Sequence, residues 1–233
     1  NSSFDTANRL LVMGTDVNTK YTLRGQQMYQ RYAEYLLKVA KSKVGNYMAF
    51  FPSYKFMEEV YDYFNEMILE EQSEITIDCI IQAPYMSEES REIFLESFEE
   101  KREGSLMGFC VMGGVFSEGI DLSEDRLIGA VIIGTGLPQV CRERELLKEY
   151  FDKKGVNGFD YAYVYPGMNK VQQSAGRVIR TEEDQGVILL LDERFRERRY
   201  KDTFPREWEG MGYCSVSSIE KQIYDFWKER SSK

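Results

Sequence analysis

Residues 173–180 read Gln-Ser-Ala-Gly-Arg-Val-Ile-Arg. On a helix advancing about 100° per residue, Gln173, Arg177 and Arg180 fall within about 60° of one another. Val171, Ala175, Val178 and Ile179 turn to the opposite side, where they can pack on a core. Two arginines on one face project two planar, permanently charged forks. Such forks match an anion with several oxygens, and a triphosphate suits them well. Gly176 keeps that face low, so a bulky ligand or a neighbouring domain can approach.

An isolated Arg-x-x-Arg is most often a solvated helix face. Its flanks argue for more here. Gly-Val-Ile-Leu-Leu-Leu-Asp at 186–192 follows a polar turn and reads as a buried strand, and Tyr-Ala-Tyr-Val-Tyr at 161–165 reads as another. A helix pinned between two strands presents its polar face at a defined sheet edge.

Apolar strand patterns recur at 10–13, 47–51, 75–81, 106–112, 128–134, 161–165 and 187–191. Helical patterns fill 25–42, 54–71, 87–102, 141–153, 169–180 and 217–228. Buried strands alternating with amphipathic helices imply an α/β fold with a mostly parallel sheet covered on both faces. No repeat, low-complexity stretch or long linker interrupts residues 1–233, which read as one domain.

Ligands in such folds sit at the carboxyl ends of strands. Phe50-Phe51-Pro52-Ser53-Tyr54 marks one strand-to-helix junction; Ser53 is a good N-cap, and a helix N-terminus also offers free N–H groups to phosphate. The run 113–121 places three glycines around Glu118 and Asp121 after a buried strand, the pattern of a tight functional loop. Gly134-Thr135-Gly136 is not a dinucleotide fingerprint, because Gln139 occupies the third glycine position. The arginine helix is taken as a fourth such element.

Absences narrow the chemistry. Gly-Lys occurs nowhere, so there is no P-loop. Residues 188–193 imitate a Mg²⁺-binding strand end, but without a P-loop Asp192 and Glu193 read as structural carboxylates paired with Arg194 or Arg196. Histidine is absent, which removes imidazole acid–base catalysis and most zinc chemistry. Cys79, Cys110, Cys141 and Cys214 fit no metal spacing, and Cys79 and Cys110 read as buried thiols. The balance of 30 basic and 39 acidic residues, net −9, disfavours a sequence-independent nucleic-acid coat protein. Neither a bilayer-spanning run nor a secretory signal is visible, so the cytoplasm is the default expectation. An arginine pair facing triphosphate without a phosphate cradle is half of an active site.

These motifs resemble the second RecA-like motor domain of superfamily 2 helicases, most nearly the XPD/DinG family of DNA helicases. Residues 173–180 look like its motif VI, residues 117–121 (Ser-Glu-Gly-Ile-Asp) like motif V, and residues 50–54 like motif IV. Asp184-x-Gly186 and Leu191-Asp192-x-Arg194-Phe195 continue the pattern. The resemblance implies that Arg177 and Arg180, with Gln173 beside them, face ATP and Mg²⁺ held by an upstream P-loop domain. It implies that Glu118, Gly119 and Asp121 line the same cleft, and that Ser53 and Tyr54 lie near a single-stranded DNA track. Any iron–sulfur cluster would belong to the first motor domain, and none to this chain. Movement along DNA would run 5′ to 3′. A chain opening on Asn1 is expected to be a piece of a longer helicase, inactive alone. A regulatory RecA-like module and an RNA helicase domain are the alternatives.

Overall fold

A computed structural model describes residues 8–71, 75–99, 102–116, 127–178 and 184–231. Its strands are β1 (Arg9–Gly14), β2 (Asn46–Phe51), β3 (Ile77–Ile81), β4 (Ser105–Val111), β5 (Gly129–Ile133), β6 (Gly186–Leu191) and β7 (Gly212–Cys214). They form one sheet in the order β3-β4-β2-β5-β6-β1-β7. Every described pairing is parallel. Parallel strands need covered crossovers, so the central strands are buried on both faces. All six residues of β2 and all six of β6 are buried accordingly.

Strand alternation splits the core in two. Tyr47, Ala49 and Phe51 of β2 face α1 (Gln26–Ser42), α2 (Tyr54–Glu70) and α7 (Ile219–Ser231). Met48 and Phe50 face α3 (Glu88–Glu96), α5 (Tyr165–Ala175) and the segment around Phe195, Tyr200 and Trp208. The first face is densely aromatic: Phe109 stacks on Phe51 at 5.4 Å and meets Tyr61 and Phe64 edge-on. Burying each such ring stabilises the fold by roughly 1.5–3 kcal/mol. The two remaining helices are α4 (Arg142–Lys153) and the single turn α6 (Arg198–Lys201).

Six of the seven expected strands form within two residues of their expected limits. The exception is 161–165: Asp160–Val164 is a π-helix that runs without a break into α5. Its alternating pattern looks like a strand, but Ala162, Tyr163 and Val164 are consecutive buried residues, as a helical segment between α4 and the sheet requires. The 169–180 helix starts earlier, at Tyr165, and ends at Ala175, where Gly176 caps it and a turn follows. The 87–102 helix is shorter than expected and ends at Glu96. β7 was not visible in the sequence; its three residues exist as a strand because the edge of β1 accepts them.

Candidate functional site

The carboxyl edge of the sheet gathers several of the sequence-predicted loops. At the end of β2, Ser53 caps α2, its Oγ accepting from the Phe56 N–H at 3.3 Å. The hydroxyl is therefore engaged as a helix cap. Tyr54 packs against the core, and its hydroxyl accepts from Gln82 Nε2 at 3.0 Å. Gln82 follows β3 and is 3% exposed. Its Oε1 accepts from the Val111 N–H at 2.9 Å, so one buried amide ties the ends of β3 and β4 to α2. Burial pushes the Tyr54 phenol above its ordinary range.

Beside it, Gly113 has φ +70, and a Cβ there would lie 3.1 Å from Lys170 Nζ. An ammonium from α5 therefore reaches the start of the predicted motif V loop. Glu118, Gly119 and Asp121 lie outside the described residues. Gln82 and Lys170 were missed from sequence, and neither carries a local signal: a glutamine after an apolar run and a lysine within a helix are ordinary.

At the end of β5, Gly134 and Gly136 adopt φ +86 and +66. A Cβ on Gly136 would fall 2.5 Å from the Gly167 carbonyl oxygen, and one on Gly167 would meet Thr135 O at 2.7 Å. These glycines serve backbone-on-backbone packing of the β5 loop against the start of α5, which explains a fingerprint that lacks its third glycine.

The end of β6 carries a closed network. Asp192 is 0% exposed. Its Oδ2 accepts from Thr19 N (2.9 Å), Thr19 Oγ1 (2.8 Å) and Arg194 Nη2 (2.7 Å). Its Oδ1 accepts from Arg194 N (3.0 Å) and Nε (2.8 Å). Burial alone would lower the Arg194 guanidinium, but hydrogen bonds and charge pairing with Asp192 hold it above its ordinary value. The expected Asp192–Arg194 pair is present. Glu193 instead accepts from Asn18 Nδ2 at 2.7 Å. Both oxygens of Asp192 are thus engaged by protein donors.

The arginine segment sits elsewhere. Gly167 packs at the carboxyl edge, but α5 runs antiparallel to the strands, and its last turn reaches their amino ends. A 160 Å³ cavity there is lined by Arg9 of β1, Gln172, Ala175 and Gly176, among others. Val178 abuts Gly186, the first residue of β6. The expectation that this segment joins the carboxyl-edge loops is therefore corrected: the described part of motif VI lies at the opposite edge. Gln173 is exposed on α5, and Arg177, half-buried, lies in the turn past its end. The two share no single helix. Arg180 lies outside the described residues. A cleft of 760 Å³ is lined by Thr15, Glu193, Arg196, Glu197, Lys201 and Tyr213 and includes none of the predicted site residues. Among the described residues, no three metal-ligating side chains converge, and no helix is long and apolar enough to cross a membrane.

Residues 36–211 match the model of the helicase C-terminal domain family. The ATP-dependent DNA helicase XPD of Sulfolobus acidocaldarius is 28% identical over 198 residues, covering 81% of this chain and 32% of that protein. The ATP-dependent DNA helicase DinG of Photobacterium profundum is 33% identical over 155 residues, covering 66% of this chain and 21% of that protein. A solved apo XPD superposes with a TM-score of 0.69 at 23% identity, over 89% of this chain and 40% of that one. The C-terminal domain of the DEAD-box protein Dbp5 superposes at 0.50 and 13% identity, over 94% of this chain and 98% of that one. The chain spans about a third or less of the curated relatives it matches. Its parallel RecA-like sheet and its motifs agree with that match, and the chain belongs to the helicase C-terminal domain family, as a second motor domain of the XPD and DinG type.

Proposed function

We propose that this chain is the second motor half of an ATP-dependent DNA helicase. Arg177 and Arg180 act on the γ-phosphate of ATP held with Mg²⁺ by an upstream P-loop domain, with Gln173 alongside. Glu118, Gly119 and Asp121 line the same interdomain cleft, and Ser53 with Tyr54 belongs to the track of the single strand. The observation that carries this reading is the family match joined to a missing phosphate cradle: the chain has the arginine-bearing motif and no P-loop. The names of the relatives, ATP-dependent DNA helicases, support it.

The chemistry follows from charge. Closing the cleft brings guanidinium forks onto a phosphoryl group whose negative charge spreads in the transition state. Hydrolysis removes that anchor and lets the domains part, so alternate closing and opening shifts the two halves along one strand. Asp192 takes no part in holding Mg²⁺, because Thr19 and Arg194 already saturate it.

The test uses the longer protein that includes a P-loop domain. Arg180→Ala should lower DNA-stimulated ATP turnover roughly 10²-fold or more, by analogy with other supplied arginines. Arg177→Ala should be severe as well, and lysine should rescue either site poorly because an ammonium lacks the fork. ATP affinity should fall less than turnover. Near-normal turnover in Arg180→Ala would make the segment a solvated face. Unwinding of RNA but not DNA duplexes would shift the reading to an RNA helicase.

A further inference from the structure

α4 buries none of its twelve residues. Leu146, Leu147 and Tyr150 are 56%, 39% and 54% exposed. Among the described residues it packs mainly on the π-helix Asp160–Val164. Two bonds lock that pair: Arg144 Nη1 donates to the Ala162 carbonyl at 2.8 Å, and the Tyr163 hydroxyl donates to Glu145 Oε1 at 2.5 Å.

Across this unit runs a chain of rings. Tyr150 meets Phe151 edge-on at 5.4 Å, Phe151 stacks on Tyr161 at 4.1 Å and 18°, and Tyr161 meets Tyr165 edge-on at 5.1 Å. The inner ring, Phe151, is half-buried, while Tyr161 and Tyr165 remain 39% and 43% exposed. The rings therefore hold one another in place while keeping outer surface free. Single-turn π segments inside helices concentrate at functional sites, and this one carries Tyr161.

Position and charge indicate the occupant. Tyr165 is two residues from Gly167, which packs on Gly136 at the carboxyl end of β5. β5 is the immediate neighbour of β2, whose end carries Ser53. Lys154 Nζ lies 5.5 Å from the Tyr150 ring centroid. Residues 142–154 carry five basic and four acidic side chains, in a chain whose net charge is −9. Of those acids, Glu145 is engaged by Tyr163 and Lys148, and Asp152 accepts from the Gly158 N–H. Flat, exposed, pre-positioned rings beside cations fit stacked bases on a phosphate backbone.

We propose that Tyr150, Tyr161 and Tyr165 form a base-stacking platform for single-stranded nucleic acid. It extends along the carboxyl edge from Ser53, and it rests on the reading of this chain as a helicase domain. Stacking is indifferent to base identity, so the platform grips any sequence and contributes affinity that salt does not screen.

Fluorescence anisotropy of this chain with a labelled 20-nucleotide oligothymidylate, and with an abasic strand of the same length, tests the idea. Tyr161→Ala/Tyr165→Ala should weaken oligothymidylate binding roughly 10-fold or more. It should leave abasic-strand binding unchanged, with thermal melting lowered by only a few degrees through loss of the Tyr161–Phe151 stack. Tyr161→Phe/Tyr165→Phe should bind like the parent. Photo-cross-linking of 5-iodouracil strands should map to Tyr150, Tyr161 or Tyr165. Parent-like oligothymidylate binding by the alanine variant, equal loss on both strands, or no binding by the parent chain would each overturn the platform. The helicase reading is judged separately, by ATP turnover and unwinding in the longer protein, and survives any of these failures.

Discussion

Asp192→Ala separates a structural carboxylate from a metal-binding one. Asp192 is fully buried, and the Arg194 side chain that grips it is 12% exposed. Five donor contacts of 2.7–3.0 Å converge on its two oxygens. Truncation leaves the Arg194 guanidinium and the Thr19 N–H without the carboxylate that accepts from them. Removing one partner of a buried ion pair costs about 3–5 kcal/mol. For a domain of this size that lowers Tm by roughly 10 °C. Urea unfolding followed by circular dichroism measures the loss, and Asp192→Ala/Arg194→Met should recover part of it by removing the stranded charge. Mg²⁺ should not change the stability of either parent or variant. A loss below about 1 kcal/mol, or a Mg²⁺-dependent stabilisation that the variant abolishes, would refute the assignment.

Gly136→Ala should destabilise the chain by about 2–4 kcal/mol, since the new Cβ meets Gly167 O at 2.5 Å from a backbone at φ +66; urea midpoints report it. Stability should fall as pH rises above about 9. Burial holds the Cys110 thiol far above its ordinary value and pushes Cys214 up to about 12, while the Tyr32, Tyr35 and Tyr47 phenols are raised as well. The unfolded chain then loses protons first, each such group contributing a slope of about −1.4 kcal/mol per pH unit until its folded form ionises; urea titrations at pH 8 to 11 check the sign. Among the four thiols, exposed Cys141 should react with a disulfide reagent at once, half-buried Cys79 slowly, and buried Cys110 and Cys214 only on unfolding; stoichiometry with and without urea is the readout.

The family and the sheet were legible because each depends on local pattern. Val-Ile-Leu-Leu-Leu at 187–191 is apolar on both alternating faces, which only a doubly covered strand needs, and β6 forms there. Ser53 before an amphipathic run is a cap by its own chemistry, and it caps α2. Asp192 two residues before Arg194 lies within reach of a fork whatever the surroundings, and the pair forms. Other outcomes depended on partners distant in sequence. Residues 161–165 alternate like a strand, but α4 covers Tyr163 through Glu145 and holds Ala162 through Arg144, and that packing selects a π-helix. β7 is three residues that pair only because β1 leaves an open edge. Gln82 has no local mark, and its role comes from β4 and α2 closing around one amide. Most of all, the sequence carries a helix through Gln173 but shows neither that it stops at Ala175, before Arg177, nor which end of the sheet that segment reaches. The crossover from β5 to its parallel neighbour β6 must run back along the sheet, so α5 carries the segment from the carboxyl edge to the amino edge. Chain direction in a parallel sheet, a property of the whole fold, decides that placement.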